Sequence, residues 1–181
     1  HGLDSSRGFF TSTLDSQMEE GMYTYYCTYP VPISYSGSTA TFSLPAVQDG
    51  KVSNGADIMI SDPVVHGPLL SIPDPDDHST MSMTMNRMMH QFRFYIPEDN
   101  EIIGDEELTR IIATFPKNVV GKVTYDLTNV KSNGELLGGE LTEGSNRITM
   151  NLSTPLGKSS VAPDKFACMA MVPTEFADGE K

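Results

Sequence analysis

The chain has 181 residues, with 24 acidic against 12 basic side chains and a formal net charge of −12. Such a surface repels phosphate backbones and anionic headgroups, which excludes nucleic acid and anionic membrane surfaces as partners. Hydrophobic residues make up 38% and charged residues 20%, a balance that suits one globular domain with a real core and not a disordered chain. Up to Thr80 only Arg7 and Lys51 are basic, against ten carboxylates. No apolar run reaches the length of a membrane helix, so no transmembrane segment is expected. The chain begins at His1 and not at Met, which implies either a removed leader or a cloning remnant at His1-Gly2.

Residues 1–21 are polar, with Ser5, Ser6, Ser12, Asp15, Glu19 and Glu20, and read as a flexible tail or an edge strand. A β domain is expected over 22–181. Met22 to Tyr29 alternates Tyr23, Tyr25, Cys27 and Tyr29 on one face, and Pro30 and Pro32 end the ladder. Thr39 to Leu44 is a second strand, stopped by Pro45, and Asp57 to Ser61 a short third. Met81, Met83 and Met85 alternate with Ser82 and Thr84, and Phe92, Phe94 and Ile96 resume the alternation. Further strands are expected at Leu108–Phe115, Lys122–Thr128, Glu135–Leu141, Arg147–Leu152 and Phe166–Val172. Asn133-Gly134 is a hairpin signal, because a primed turn needs positive φ at both central residues. Asp105 to Arg110 has one helix-like turn, but its isoleucine-rich continuation favours a strand. Many short strands with frequent Gly, Pro, Asn and Asp define an all-β sandwich.

No pattern of catalytic chemistry stands out. There is no Gly-x-Ser-x-Gly elbow, and Pro116 occupies the first glycine position of a phosphate loop ending at Gly121-Lys122. His66, His78 and His90 lack zinc spacing, and Asp74, Asp76, Asp77 and His78 lack the glycine and closing glutamate of a calcium loop. The acidic run Glu98, Asp99, Glu101, Asp105, Glu106 and Glu107 reads as a solvent-facing connection before a paired-carboxylate hydrolase site. Met81, Met83, Met85, Met88 and Met89 are close enough to gather around copper, but their alternation fits a buried strand face. No catalytic residue, metal ligand or cofactor is therefore assigned. Cys27 and Cys168 allow one disulfide or two buried thiols. Tyr23, Tyr25, Tyr29 and Tyr35 are the candidate carbohydrate contacts, with sandwich packing as the alternative. Asn151-Leu152-Ser153 is a glycosylation sequon, meaningful only in a eukaryotic secretory pathway.

Several segments, in order, resemble the fimbrillin family of bacterial type V pili. Tyr25-Tyr26-Cys27-Thr28-Tyr29-Pro30 resembles its aromatic strand, and Phe42-Ser43-Leu44-Pro45 with Gln48 resembles its Phe-x-Leu-Pro-x-x-Gln stretch. Ala56 to Ser61 resembles the short strand that follows. Met81 to Ile96 has the family's order of alternating apolar residues, a polar pair, two apolar residues and a basic-aromatic strand. The polar pair here is Asn86-Arg87, where the family often has a histidine, and His90 stands where a serine is common. Phe166 to Pro173 resembles a late strand ending in an apolar-Pro corner.

The resemblance implies a transthyretin-like Greek-key β-sandwich of about seven to nine strands. It implies a structural or adhesive subunit of a surface fimbria, not an enzyme, exported as a lipoprotein and joined to other fimbrial subunits by strand exchange. The chain then sits at the cell surface, in a fimbrium or anchored in the outer membrane. Thr24, Tyr25 and Tyr26 make Cys27 a poor lipidation site, so the lipid belongs upstream. The stop at Lys181 makes the chain look like an N-terminal domain or a shortened member. A trypsin-like maturation cut is expected at Arg7 or upstream of the chain, since a cut at Lys51 would remove two strands. A surface glycan or protein is the partner expected beyond the fimbria itself. The alternative is a surface lipoprotein that binds carbohydrate through the four tyrosines.

Overall fold

The computed structural model describes residues 18–51, 56–68, 81–129, 138–159 and 166–179. These contain strands and no helix. In chain order the strands are β1 (Tyr23–Tyr25), β2 (Thr28–Tyr29), β3 (Ser34–Ser36), β4 (Thr39–Leu44), β5 (Val47–Gln48), β6 (Met59–Ser61), β7 (Val64–His66) and β8 (Met85–Arg87). They continue with β9 (His90–Phe94), β10 (Ile96–Pro97), β11 (Leu108–Thr114), β12 (Val120–Asp126), β13 (Glu140–Ser145), β14 (Arg147–Leu156), β15 (Lys158–Ser159) and β16 (Ala167–Met171). Asn133-Gly134, the Asp74–His78 cluster and Arg7 lie outside the described residues.

The described residues form two compact units. The smaller holds those up to Tyr25 and those of Val64–Ser82. In it β1 pairs antiparallel with β7, Tyr23 opposite His66 and Tyr25 opposite Val64. The larger unit, Tyr26–Pro63 with Met83 onward, carries the sandwich.

One sheet of the larger unit runs β13-β12-β4-β3. Its pattern is direct: Ala40, Phe42 and Leu44 of β4 and Val123 and Tyr125 of β12 are buried, while the residues between them lie nearer solvent. Phe42 and Tyr125 meet edge to face, centroids 6.1 Å apart. Burial pushes the Tyr125 phenol up, so it packs as a neutral ring. The second sheet runs β11-β14-β5 and adds Ile148 and Met150 to the same core, while β16 adds Met169 and Met171. The result is an all-β sandwich.

The chain at Val47–Gly50 links β14 to β16. Gln48 follows β14 in parallel register opposite Met150, and Ser153 N–H donates to the Asp49 carbonyl. On the other side the Gly50 carbonyl accepts from Cys168 N–H, and the Gln48 side chain takes the place of a strand. Its Nε2 donates to the Ala170 carbonyl at 2.8 Å, and its Oε1 accepts the Ala170 N–H at 2.9 Å. Gly50 sits at φ +83°, and a Cβ there would lie 2.7 Å from Leu152 of β14 and 3.4 Å from Ala167 of β16. Only glycine fits so narrow a passage in that conformation.

Replacing Gln48 by leucine keeps the volume and removes the partners of both the N–H and the C=O of buried Ala170. At about 1–3 kcal/mol for each unsatisfied group, the expected loss is roughly 3 kcal/mol, read as a lower urea midpoint. A loss under about 0.5 kcal/mol would mean that Ala170 is satisfied without Gln48.

Candidate functional site

A β-sandwich binds other chains most simply at strand edges whose backbone groups have no ladder partner. Among the described residues, β11 pairs only with β14 and forms the longest such edge. Its polarity follows from one bond. Phe115 N–H donates to the Asn146 carbonyl, so Ile111, Ala113 and Phe115 direct their main-chain groups at β14. Arg110, Ile112 and Thr114 direct theirs outward. The side chains follow the same period: Ile111, Ala113 and Phe115 pack against the core, and Ile112 is exposed.

The other edge of interest is β3. No hydrophobic alternation marks β3 as a strand in the sequence, and all three of its residues are exposed. The available signal was Gly37-Ser38, a two-residue hairpin loop with glycine first, and Gly37 has φ +58°. Leu127 N–H donates to the Ser38 carbonyl, so the even-numbered residues of β4 face β12 and the odd-numbered ones face β3. Tyr35 therefore turns its N–H and C=O away from the sheet. Around it Tyr29, Val31, Ile33 and Tyr35 are each exposed.

The four tyrosines proposed for carbohydrate do not share one unit. Tyr23 and Tyr25 lie in the smaller one, ring centroids 6.3 Å apart, and their hydroxyls donate to the carbonyls of Glu19 and Gly67. Tyr29 and Tyr35 lie in the larger one, and the Tyr35 hydroxyl is 3.1 Å from Thr28 Oγ1. A different aromatic cluster escaped the sequence reading. Phe115 lies 6.4 Å from Phe92 and stacks at 6.1 Å on Phe176 of the C-terminal segment. Its members are far apart in sequence, so no local pattern marks it.

The polar pair Asn86-Arg87 has a structural role. Asn86 Nδ2 donates to Asp62 Oδ1 at 2.6 Å, and Arg87 forks onto buried Asp57 through Nε at 2.6 Å and Nη2 at 2.9 Å. The hydrogen bond to Asp57 raises the Arg87 guanidinium above its ordinary value. Removing Arg87 would leave a buried carboxylate without its cation. Met88 and Met89 pack on or in the core. Met85 opens β8, and Met81 and Met83 are half-buried before it. In the acidic run, Asn100 Oδ1 accepts from the N–H groups of Ile102 and Ile103, and the acidic side chains around this turn are exposed. Among the described residues no three His, Cys, Asp or Glu side chains gather to hold a metal, and no helix is long and apolar enough to cross a membrane.

The candidate bridge between Cys27 and Cys168 is absent, and both are free thiols. Cys27 sits between β1 and β2, its N–H given to Ser61 Oγ, while Cys168 is buried in β16. Burial pushes the Cys168 thiol up, against the pull of Arg93, which hydrogen-bonds it. No protein-family model, curated protein or solved structure matches the chain.

A thiol titration checks the cysteine assignment. In denaturant without reductant two thiols per chain should react, and in the native protein Cys168 should react far more slowly. No reactive thiol in denaturant would mean that the bridge forms after all.

Proposed function

We propose that the chain is a structural or adhesive subunit of a bacterial surface fimbria that assembles by β-strand complementation. The observation that carries this reading is the open edge of β11, seven residues long with Arg110, Ile112 and Thr114 turned outward. Each residue that pairs there gains backbone hydrogen bonds, and the alternate side chains extend an existing face. The resemblance in order and spacing to fimbrillins supports the same reading. Within it the sandwich is transthyretin-like with Greek-key connections, the lipid lies upstream of the chain at the cell surface, and Arg7 is the processing residue. Its partners are other fimbrial subunits and, at the host or bacterial surface, a glycan or protein.

A second reading, a lipoprotein that binds carbohydrate, draws on the exposure of Tyr29 and Tyr35 in the larger unit. It gains less from Tyr23 and Tyr25, whose hydroxyls are bound to main-chain carbonyls.

Ile112→Pro separates the readings. Proline removes an outward N–H without touching the ladder to β14, a position where edge strands tolerate it. The variant should fold, losing about 1 kcal/mol, while detergent-resistant multimers disappear from cells that make it. In the same assay Arg7→Ala should leave the subunit at its unprocessed length. Multimers of Ile112→Pro equal to wild type would remove the β11 edge from the assembly. Normal processing of Arg7→Ala would remove Arg7.

A further inference from the structure

Between Glu20 and Asp49 the chain holds no charged side chain, although the whole carries −12. That neutral stretch contains β3 and the exposed Tyr29, Val31, Ile33 and Tyr35. Edge strands usually carry charges that stop them pairing with copies of themselves, and this one has none. Two prolines, Pro30 and Pro32, precede β3, but the strand itself is Ser34-Tyr35-Ser36.

We infer that β3 is a self-pairing edge: two copies of the chain join antiparallel through β3 about a two-fold axis at Tyr35. This goes beyond the fimbrial reading and uses a different edge from β11. Tyr35 has its N–H and C=O turned outward, so Tyr35 and its counterpart exchange two hydrogen bonds. Ser34 then faces Ser36 of the other copy.

Charge selects the occupant. A second strand laid beside β3 must bring an equally neutral surface, or it desolvates a charge with no partner. Three longer open edges are charged and do not qualify. β11 carries Arg110 and follows Glu106 and Glu107, β13 carries Glu140 and Glu143, and β9 carries His90 and Arg93. A charged ligand finds nothing complementary in the stretch. β3 of a second copy matches it in length and neutrality, and a like-to-like contact closes as a dimer and not as a filament.

Two copies of net charge −12 repel one another, and salt screens that repulsion over about 10 Å at 0.1 M and about 3 Å at 1 M. Dimerisation should therefore tighten as salt rises, the reverse of a contact held by ion pairs.

The test is sedimentation equilibrium of the purified chain up to about 100 µM, at about 0.05 and about 0.5 M NaCl. The wild type should dimerise, more tightly at the higher salt. Tyr35→Lys and Tyr35→Glu, each folded by circular dichroism, should be monomeric alone, with association weakened at least about tenfold. Mixed, they should pair, because the two-fold axis sets Lys against Glu.

A wild type that stays monomeric at both salts overturns the inference, as does a Tyr35→Lys variant that dimerises like wild type. Failure of the mixed variants to pair overturns the two-fold register. Glycan binding lost in Tyr35→Lys while the wild type stays monomeric overturns it in favour of carbohydrate recognition. None of these results bears on Ile112 and the β11 edge, so this inference and the fimbrial reading fail separately.

Discussion

The Gln48 side chain standing in for a strand is the constraint on which the sandwich depends. β14 and β16 both contribute to the same core, through Ile148 and Met150 and through Met169 and Met171, yet they are not paired with each other. The narrow segment Val47–Gly50 satisfies the facing edges of both. It does so with a parallel backbone pairing on one side, and with an amide side chain and one carbonyl on the other. The primary amide suits the place because it offers one donor and one acceptor in a plane, as a peptide unit does. Gln48 Nε2 also reaches the Pro45 carbonyl at 3.2 Å, which fixes the side chain against the turn that delivers it. A glutamate there could not donate, and a leucine could neither donate nor accept.

Much of the fold was legible where burial followed a simple period. Thr39–Leu44 alternates polar and apolar residues, and its strand has those same bounds. Leu108–Phe115 and Arg147–Leu152 were found for the same reason, although β14 runs on to Leu156. Met22–Tyr29 was read as one strand from the alternation of its aromatics. The structure breaks it at Tyr26-Cys27, where the partner strand changes from β7 to β6. Long-range pairing of that kind leaves no local mark. β3 was missed because a wholly exposed strand has no alternation to detect, and β5 because two residues make no pattern.

The candidate site was less legible, since edge status belongs to a strand's neighbours and not to its own residues. Ile112 and Tyr35 are ordinary strand residues in sequence. Only the pairings of β11 with β14 and of β3 with β4 reveal which backbone groups turn outward. The aromatic trio of Phe92, Phe115 and Phe176 was equally hidden, because three separate segments assemble it. Composition pointed instead at the tyrosines, and the two units divide them. Asn86 and Arg87 were legible as a polar pair, but their partners Asp62 and Asp57 came only with the antiparallel register of β6 and β8.

One sandwich combines a core closed by Gln48 with the open edges of β11 and β3, which we propose receive other chains. The proposed role of the chain is in a surface polymer. Immunogold electron microscopy of native cells, with antibody against this domain, puts that role to the test. Gold should run along filaments for a shaft subunit, or lie only at their ends or bases for a tip or anchor. Gold spread over the cell body with no filaments would contradict it.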